Sequence, residues 1–178
     1  MPENGVDNPF FARLWAVMAS RQPEAVRRLR VEMLTGLSGR VLEVGAGTGT
    51  NFVFYPKEVA EVVALEPERR LRGIARRSAA TAPVPVTVTA STVEELDPTQ
   101  PFDAAVCSLV LCSVGQPETV LRHLFSVLRP GGQLRYLEHV ASQGVRGRLQ
   151  TLADGTLWPR LFGNCHTHRD TVDALGDA

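Results

Sequence analysis

A glycine-rich turn directly after a short β-branched segment constrains the fold of this chain more than any other feature. Glycines occupy positions 45, 47 and 49, immediately after residues 41–44, which contain Glu43. Glycine adopts positive φ at little cost and lets the backbone approach a ligand closely. The pattern predicts a strand that leads into a ligand-binding loop, and the Glu43 carboxylate favours a ligand that carries positive charge.

The spacing of these glycines excludes two common nucleotide-binding motifs. A dinucleotide-binding loop has its third glycine three positions after the second, where this chain has Thr50. A phosphate-binding P-loop ends in Gly-Lys-Ser or Gly-Lys-Thr, and the single lysine of the chain, Lys57, lies outside the turn. The pattern therefore disfavours a NAD-dependent oxidoreductase, which we keep as the weakest alternative.

Strand-like and helix-like segments alternate along the chain. Strands are predicted near 40–44, 61–66, 86–90, 102–109 and 133–140, and helices near 8–18, 23–35, 69–80 and 117–128, with a turn over 128–132. This alternation predicts an α/β fold with a doubly wound, mostly parallel sheet that binds ligands at the carboxyl ends of its strands. We expect one domain overall, in which residues 1–36 form a helical lid over a cofactor-binding part at residues 37–178.

Four segments in this order resemble the class I S-adenosylmethionine-dependent methyltransferases. They are the acidic-x-Gly-x-Gly-x-Gly run at 43–49, the apolar strand that ends in Glu66, the strand and turn at 86–96, and the buried strand at 102–114. The resemblance implies a Rossmann-like fold with S-adenosylmethionine as cofactor and S-adenosylhomocysteine as product. That fold has seven strands, so two are predicted to be missing, and the fifth would be an open edge at which a second copy could pair as a homodimer.

The same resemblance implies the residues that bind the cofactor. Glu66 is expected to accept hydrogen bonds from the ribose hydroxyls. Relatives often have an acidic residue where this chain has Thr92, so Thr92 or the backbone amide of Val93 is expected to contact the adenine. The full predicted set is Glu43, Gly45, Ala46, Gly47, Thr48, Gly49, Asn51, Glu66, Pro67, Thr92, Val93 and Leu109.

Shorter segments resemble the methyltransferase-like 7 branch of the family, whose members methylate alkyl thiols. These segments are residues 10–13, 51–56, 109–114, 138–140 and 163–165. Aromatic and aliphatic side chains at Phe10, Phe11, Trp15, Leu109 and Trp158 favour an apolar acceptor. The expected function is methyl transfer to a small apolar acceptor, with a thiol suggested by the resemblance. The alternative is a non-catalytic protein that binds S-adenosylmethionine or S-adenosylhomocysteine.

Two histidines are candidates for a general base. His139 follows the fifth predicted strand, and His166 lies in a polar segment near the carboxyl end of the chain. A neutral imidazole can accept a proton near neutral pH, although His139 could equally hydrogen-bond the backbone. Cys165, His166 and His168 lack a clear fourth ligand and a Cys-x-x-Cys pair, so no metal site is predicted.

The composition of the chain limits the classes of partner and the cellular compartments that we expect for it. The 178 residues suit one domain, and a formal net charge of zero provides no long-range attraction to nucleic acid. The longest apolar run, residues 104–114, is shorter than the roughly 20 residues that span a bilayer. Three cysteines cannot all pair with one another. We therefore expect a cytoplasmic protein with a small-molecule substrate, no nucleic-acid partner and no membrane anchor.

Overall fold

A five-stranded parallel sheet with helices on both faces forms the core of the chain. The computed structural model of the protein describes residues 8–138, 144–156 and 165–166. The elements are α1 (Pro9–Ser20), α2 (Glu24–Leu34), β1 (Gly39–Val44), β2 (Val59–Leu65), α3 (Arg69–Ala79), β3 (Val86–Thr89), β4 (Phe102–Ser108), α4 (Pro117–Val127), β5 (Leu128–Leu137) and α5 (Gly144–Asp154). Short 3₁₀ turns at Phe52–Phe54 and Val93–Glu95 complete them.

The strand order of the sheet is β3-β2-β1-β4-β5, and every neighbouring pair is parallel. The order reverses beside β1, which pairs with β2 on one side and with β4 on the other. Such a reversal opens a crevice at the carboxyl ends of the strands, where ligands bind in folds of this kind. The predicted α/β fold with a doubly wound parallel sheet is confirmed.

Two apolar layers enclose the sheet, because successive side chains of a strand point to opposite faces. On one face Val41 of β1 packs in a cluster with Leu34 of α2 and Ala75 of α3. On the other face Leu42 packs in a second cluster with Leu124 of α4. By alternation Glu43 belongs to the face that α2 covers, so a side chain from α2 can reach it.

The two amino-terminal helices begin where the sequence predicts them. Pro9 occupies the first turn of α1, and the Asn8 side chain accepts a hydrogen bond from the Phe11 N–H at 3.1 Å. This cap satisfies one of the N–H groups that the first turn of a helix leaves without a partner. Helix α1 buries Ala12 and exposes Phe10.

No helix in the described ranges has both the length and the apolar composition needed to cross a bilayer.

The last strand begins earlier than the sequence predicts. We expected a turn over 128–132 and a strand from 133, but β5 starts at Leu128, which pairs with Phe102. Regular pairing resumes between Gln133 and Ala104, so residues 129–132 form a bulge opposite a single residue of β4, Asp103. The predicted turn is not observed: residues 128–137 form one strand, and the positive φ of Gly131, 79°, lies within the bulge. Pairing on both sides of it makes the whole segment one interrupted strand.

After β5 the sequence predicts helix-like segments and no sixth or seventh strand. In the described residues after β5, helix α5 follows, in agreement with the helix-like sequence there. The prediction that two strands are missing also concerns residues 157–164 and 167–178, which lie outside the described ranges.

Candidate cofactor site

The loop that leaves β1 adopts the conformation that its glycines permit. Gly45, Gly47 and Gly49 have φ values of 64°, 59° and 75°, all in the left-handed region that favours glycine. A Cβ atom on Gly45 would overlap the side chain of Val110, which follows β4. A Cβ atom on Gly47 would lie 2.9 Å from Nε1 of Trp15 in α1. The loop is therefore held between the β4 end and helix α1 at the carboxyl edge of the sheet.

Glu43 is a buried carboxylate beneath this loop, only 2% exposed. Its Oε1 accepts a hydrogen bond from Asn51 Nδ2 at 3.0 Å, and its Oε2 accepts one from the Tyr55 hydroxyl at 2.7 Å. Burial raises the pKa of Glu43 to about 7, while these two hydrogen bonds and the charge of Arg30 oppose the rise. A carboxylate in this position gains from a ligand that brings positive charge.

Glu66, at the end of β2, links the glycine loop to the start of α3. Its Oε2 accepts from the Gly47 N–H at 2.6 Å, and its Oε1 accepts from the Glu68 N–H at 2.9 Å. Burial raises the pKa of Glu66 to about 7, against the effect of these two backbone donors. Each carboxylate oxygen can accept a second hydrogen bond. The geometry is compatible with the predicted contact to ribose hydroxyls.

We expect the stability of the cofactor-free protein to fall as the pH rises from about 4.5 to about 7. Glu43 and Glu66 hold protons in the folded state that an ordinary carboxyl, with a pKa of 4.5, has already released when unfolded. The contribution of these two protonated carboxyls to stability is complete below their pKa in the unfolded state. It is lost as the pH rises past their pKa in the folded state. Each group changes the unfolding free energy by about 1.4 kcal/mol per pH unit across that interval.

Urea unfolding at a series of pH values measures this dependence. The Glu43→Gln variant should show a shallower slope than the wild type over the same interval, because one titrating carboxyl is gone. Identical slopes for the two proteins would contradict the raised pKa of Glu43.

The ends of β3 and β4 supply the remaining predicted residues. Thr92 and Val93 follow β3, where the Thr92 N–H donates to Glu95 Oε2 at 3.1 Å and Val93 is buried. Leu109, directly after β4, has a φ of 57°, a conformation that is rare for a non-glycine residue. Its N–H donates to the Leu137 carbonyl at 2.7 Å. Strained backbone of this kind clusters at active sites, ligand clamps and switch regions.

The structure places one of the two candidate general bases. The His166 N–H donates to the Cys112 carbonyl at 2.9 Å, which brings His166 beside the segment that follows β4. The neighbouring Cys165 is buried with its Sγ 3.5 Å from that of Cys112. His139 lies outside the described residues. No three His, Cys, Asp or Glu side chains cluster as metal ligands in the described parts of the chain.

The structure brings the predicted cofactor residues to one edge of the sheet and adds others. Glu43, Glu66, Thr92 and Leu109 each stand at or after the end of a different strand. Sequence reasoning missed four residues that contact this edge. Arg30 donates hydrogen bonds to Asn51 and to Ser108, and Tyr55 donates one to Glu43. Glu138 accepts hydrogen bonds from the Val110 and Leu111 N–H groups. Tyr55 and Glu138 lie inside segments that resemble the family, whereas Arg30 gave no local signal.

A glycine loop over one buried carboxylate, with a second at the end of the next strand, defines an α/β protein that binds a cationic nucleoside cofactor. The profile of the methyltransferase domain family matches residues 18–175, which is most of the chain. The human thiol S-methyltransferase TMT1B is 37% identical over 183 residues, covering 95% of this chain and 74% of that protein. The chain belongs to this family, the S-adenosylmethionine-dependent methyltransferases of class I.

Solved structures of low identity share the fold. An S-adenosylmethionine-dependent methyltransferase from Thermotoga maritima superposes with a TM-score of 0.62 at 22% identity, over 94% of this chain and 78% of that one. The [4+2]-cyclase SpnF superposes with a TM-score of 0.65 at 23% identity, over 86% of this chain and 55% of that one. Since the second of these is named as a cyclase, the fold alone does not specify the reaction.

The chain's own residues fit the cofactor of this family. Gly45, Gly47 and Gly49 give the loop a positive-φ backbone without side chains, which lets backbone approach a ligand at the carboxyl edge of the sheet. The two buried carboxylates, Glu43 and Glu66, provide negative charge and hydrogen-bond acceptors beside that loop. S-adenosylmethionine carries a sulfonium, an ammonium and two ribose hydroxyls, which match these groups.

Proposed function

We propose that this protein transfers a methyl group from S-adenosylmethionine to the thiol of a small apolar molecule. The observation that carries the proposal is the likeness to the human thiol S-methyltransferase TMT1B along 95% of this chain. The stacked pair Phe11 and Trp15, with ring centroids 6.0 Å apart beside the glycine loop, supports an apolar acceptor.

The cofactor contacts that we propose are those predicted from the sequence. We propose that Glu43, Gly45, Ala46, Gly47, Thr48, Gly49 and Asn51 hold the methionine half, that Glu66 and Pro67 hold the ribose, and that Thr92, Val93 and Leu109 line the adenine side. The arrangement of these residues around one edge of the sheet supports the proposal. Asn51 is 2% exposed and hydrogen-bonded through both ends of its amide, which favours an indirect role through Glu43.

The chemistry demands little acid–base help from the protein. When bound, S-adenosylmethionine supplies an electrophilic methyl group on a sulfonium. A thiol with an ordinary pKa of about 8.5 is a few per cent thiolate at neutral pH, so orienting the acceptor provides most of the acceleration. We propose His166 as the residue that accepts the thiol proton, because it lies beside the end of β4, and we keep His139 as the second candidate.

We propose that residues 1–36 cover the cofactor cleft. Trp15 of α1 lies against Gly47, and Arg30 of α2 hydrogen-bonds to Asn51. Both helices therefore contact the glycine loop, as a cover over a bound cofactor requires. Residues 37–178 would then provide the cofactor-binding part.

Turnover of matched acceptors tests the proposed reaction. The purified protein is incubated with S-adenosylmethionine and pairs of alkyl or aryl thiols and the corresponding alcohols, and the products are identified by mass spectrometry. Methylation of thiols without methylation of the alcohols supports the proposal. Methylation of alcohols or amines instead would contradict the thiol assignment. Binding of S-adenosylmethionine without any methylated product would support the non-catalytic alternative.

A pair of histidine variants tests the proposed base. His166→Ala should lower kcat for thiols most at low pH, where little thiolate forms without a base. His123→Ala is the matched control, because His123 lies on α4 with its ring Nδ1 2.9 Å from the Thr119 carbonyl. Equal effects of the two changes would contradict a proton-accepting role for His166.

We further propose a homodimer through the edge of β5, as the sequence suggested. Within the described residues β5 pairs with β4 on one side, and Tyr136 on it is 46% exposed. Analytical ultracentrifugation would detect the dimer, and a monomer at all concentrations would contradict it.

A cytoplasmic location stays a prediction.

A further inference from the structure

Arg30 is a buried cation of helix α2 that reaches the cofactor edge of the sheet. Its exposed fraction is 3%. Its Nη1 donates to Asn51 Oδ1 at 2.7 Å and to Ser108 Oγ at 2.6 Å, and its Nε donates to Gln22 Oε1 at 2.9 Å. One guanidinium thus joins α2 to the end of the glycine loop and to the end of β4.

Asn51 connects this cation to the buried carboxylate. Its Oδ1 accepts from Arg30, and its Nδ2 donates to Glu43 Oε1 at 3.0 Å. The orientation of the amide is fixed at both ends, so the position of Arg30 determines which atom of Asn51 faces Glu43. The Tyr55 hydroxyl holds the other carboxylate oxygen at 2.7 Å.

We propose that Arg30 is a positioning residue for the cofactor: through Asn51 it aligns the Glu43 carboxylate and favours its ionised form, and so favours the cationic S-adenosylmethionine over its neutral product. This inference rests on the proposed function, because it presupposes that S-adenosylmethionine binds beside Glu43. S-adenosylmethionine has a net charge one unit more positive than S-adenosylhomocysteine, because only the former is a sulfonium.

The titratable groups around Glu43 support an electrostatic role for Arg30. Arg30 faces it from α2, Tyr55 from the segment after the first 3₁₀ turn, and Cys107 from β4. Burial raises the pKa of both Tyr55 and Cys107, so these two are neutral near pH 7. A guanidinium stays protonated throughout the accessible pH range. Arg30 therefore supplies the positive charge among these three groups.

The test compares the pH dependence of cofactor binding in matched variants. Calorimetry gives the dissociation constants of S-adenosylmethionine and S-adenosylhomocysteine from about pH 6 to about pH 9, a range that spans the titration of Glu43. In Arg30→Met the pH midpoint of S-adenosylmethionine binding should rise by about one unit, which corresponds to about tenfold weaker binding below the midpoint. S-adenosylhomocysteine should weaken much less.

Two further variants separate charge from packing. Arg28→Met removes a cation from the same helix at a side chain that is 80% exposed, and it should leave both constants unchanged. Arg30→Lys keeps the charge without the forked donor, and it should return the midpoint toward the wild-type value. Equal weakening of both ligands in Arg30→Met, with an unmoved midpoint, would overturn the proposal and leave Arg30 a structural residue.

A cofactor-free measurement keeps this inference distinct from the proposed function. The stability of the wild type should stop falling at the pH where Glu43 and Glu66 have both ionised, and that pH should be higher in Arg30→Met, because only Glu43 is linked to Arg30 through Asn51. If the wild type binds no S-adenosylmethionine, the proposed function fails, and an unmoved levelling point then overturns the effect of Arg30 on Glu43 as well. If Arg30→Met does not fold, Asn51→Ala interrupts the same connection and should raise the midpoint, and an unchanged midpoint overturns the proposal.

Discussion

Gly49→Ala is expected to lower the free energy of unfolding by about 2–5 kcal/mol. A non-glycine residue at a φ of 75° costs about 1–2 kcal/mol, and overpacking a filled site adds about 1–3 kcal/mol. The new Cβ would lie 2.5 Å from the Phe52 ring and 3.0 Å from the Ser78 Cβ. Phe52 is fully buried, so its ring has no space into which to move. Urea unfolding of the cofactor-free protein gives the value.

Gly36→Ala is the control for this prediction. Gly36 has nearly the same φ, 77°, but nothing lies within 4 Å of the Cβ that alanine would add. It should lose about 1–2 kcal/mol from backbone strain alone. The difference between the two variants measures the packing of the glycine loop against Phe52, and equal losses would show that the loop relaxes freely.

Glu66→Ala is expected to weaken S-adenosylmethionine binding by about 1.5–3 kcal/mol, which is about 10- to 150-fold in Kd. The change removes a carboxylate that we propose to bind the ribose hydroxyls. It also removes the acceptor for the Gly47 and Glu68 N–H groups, so the glycine loop loses a support. Isothermal calorimetry at a pH above 7, where Glu66 is ionised, measures the loss.

Glu61→Ala controls for the removal of a carboxylate from the same part of the chain. Glu61 lies on β2, its side chain is 46% exposed, and it pairs with Arg40 at 2.5 Å. Affinity for S-adenosylmethionine should not change in this variant. Unchanged affinity in Glu66→Ala as well would show that the ribose contact is assigned to the wrong residue.

The sequence was sufficient to predict the fold class because the relevant signals are local. The alternation of apolar segments with glycine and proline turns gave the order of strands and helices, which the structure confirms. The bulge at residues 129–132 was missed because pairing on both sides of it depends on β4, which is distant in sequence. Local residues favour a turn there, and only the neighbouring strand makes it part of β5.

Some residues of the candidate site could likewise be predicted from local sequence, and others could not. The sequence by itself determined that a glycine loop follows Glu43 and that Glu66 ends the next strand, since each signal lies within a few consecutive residues. Only the tertiary structure decided that Arg30, 21 positions before Asn51 and 78 before Ser108, reaches both of them. A buried arginine on a predicted helix resembles an exposed one in sequence, because burial depends on the sheet against which the helix packs. That packing places a positive charge beside Glu43.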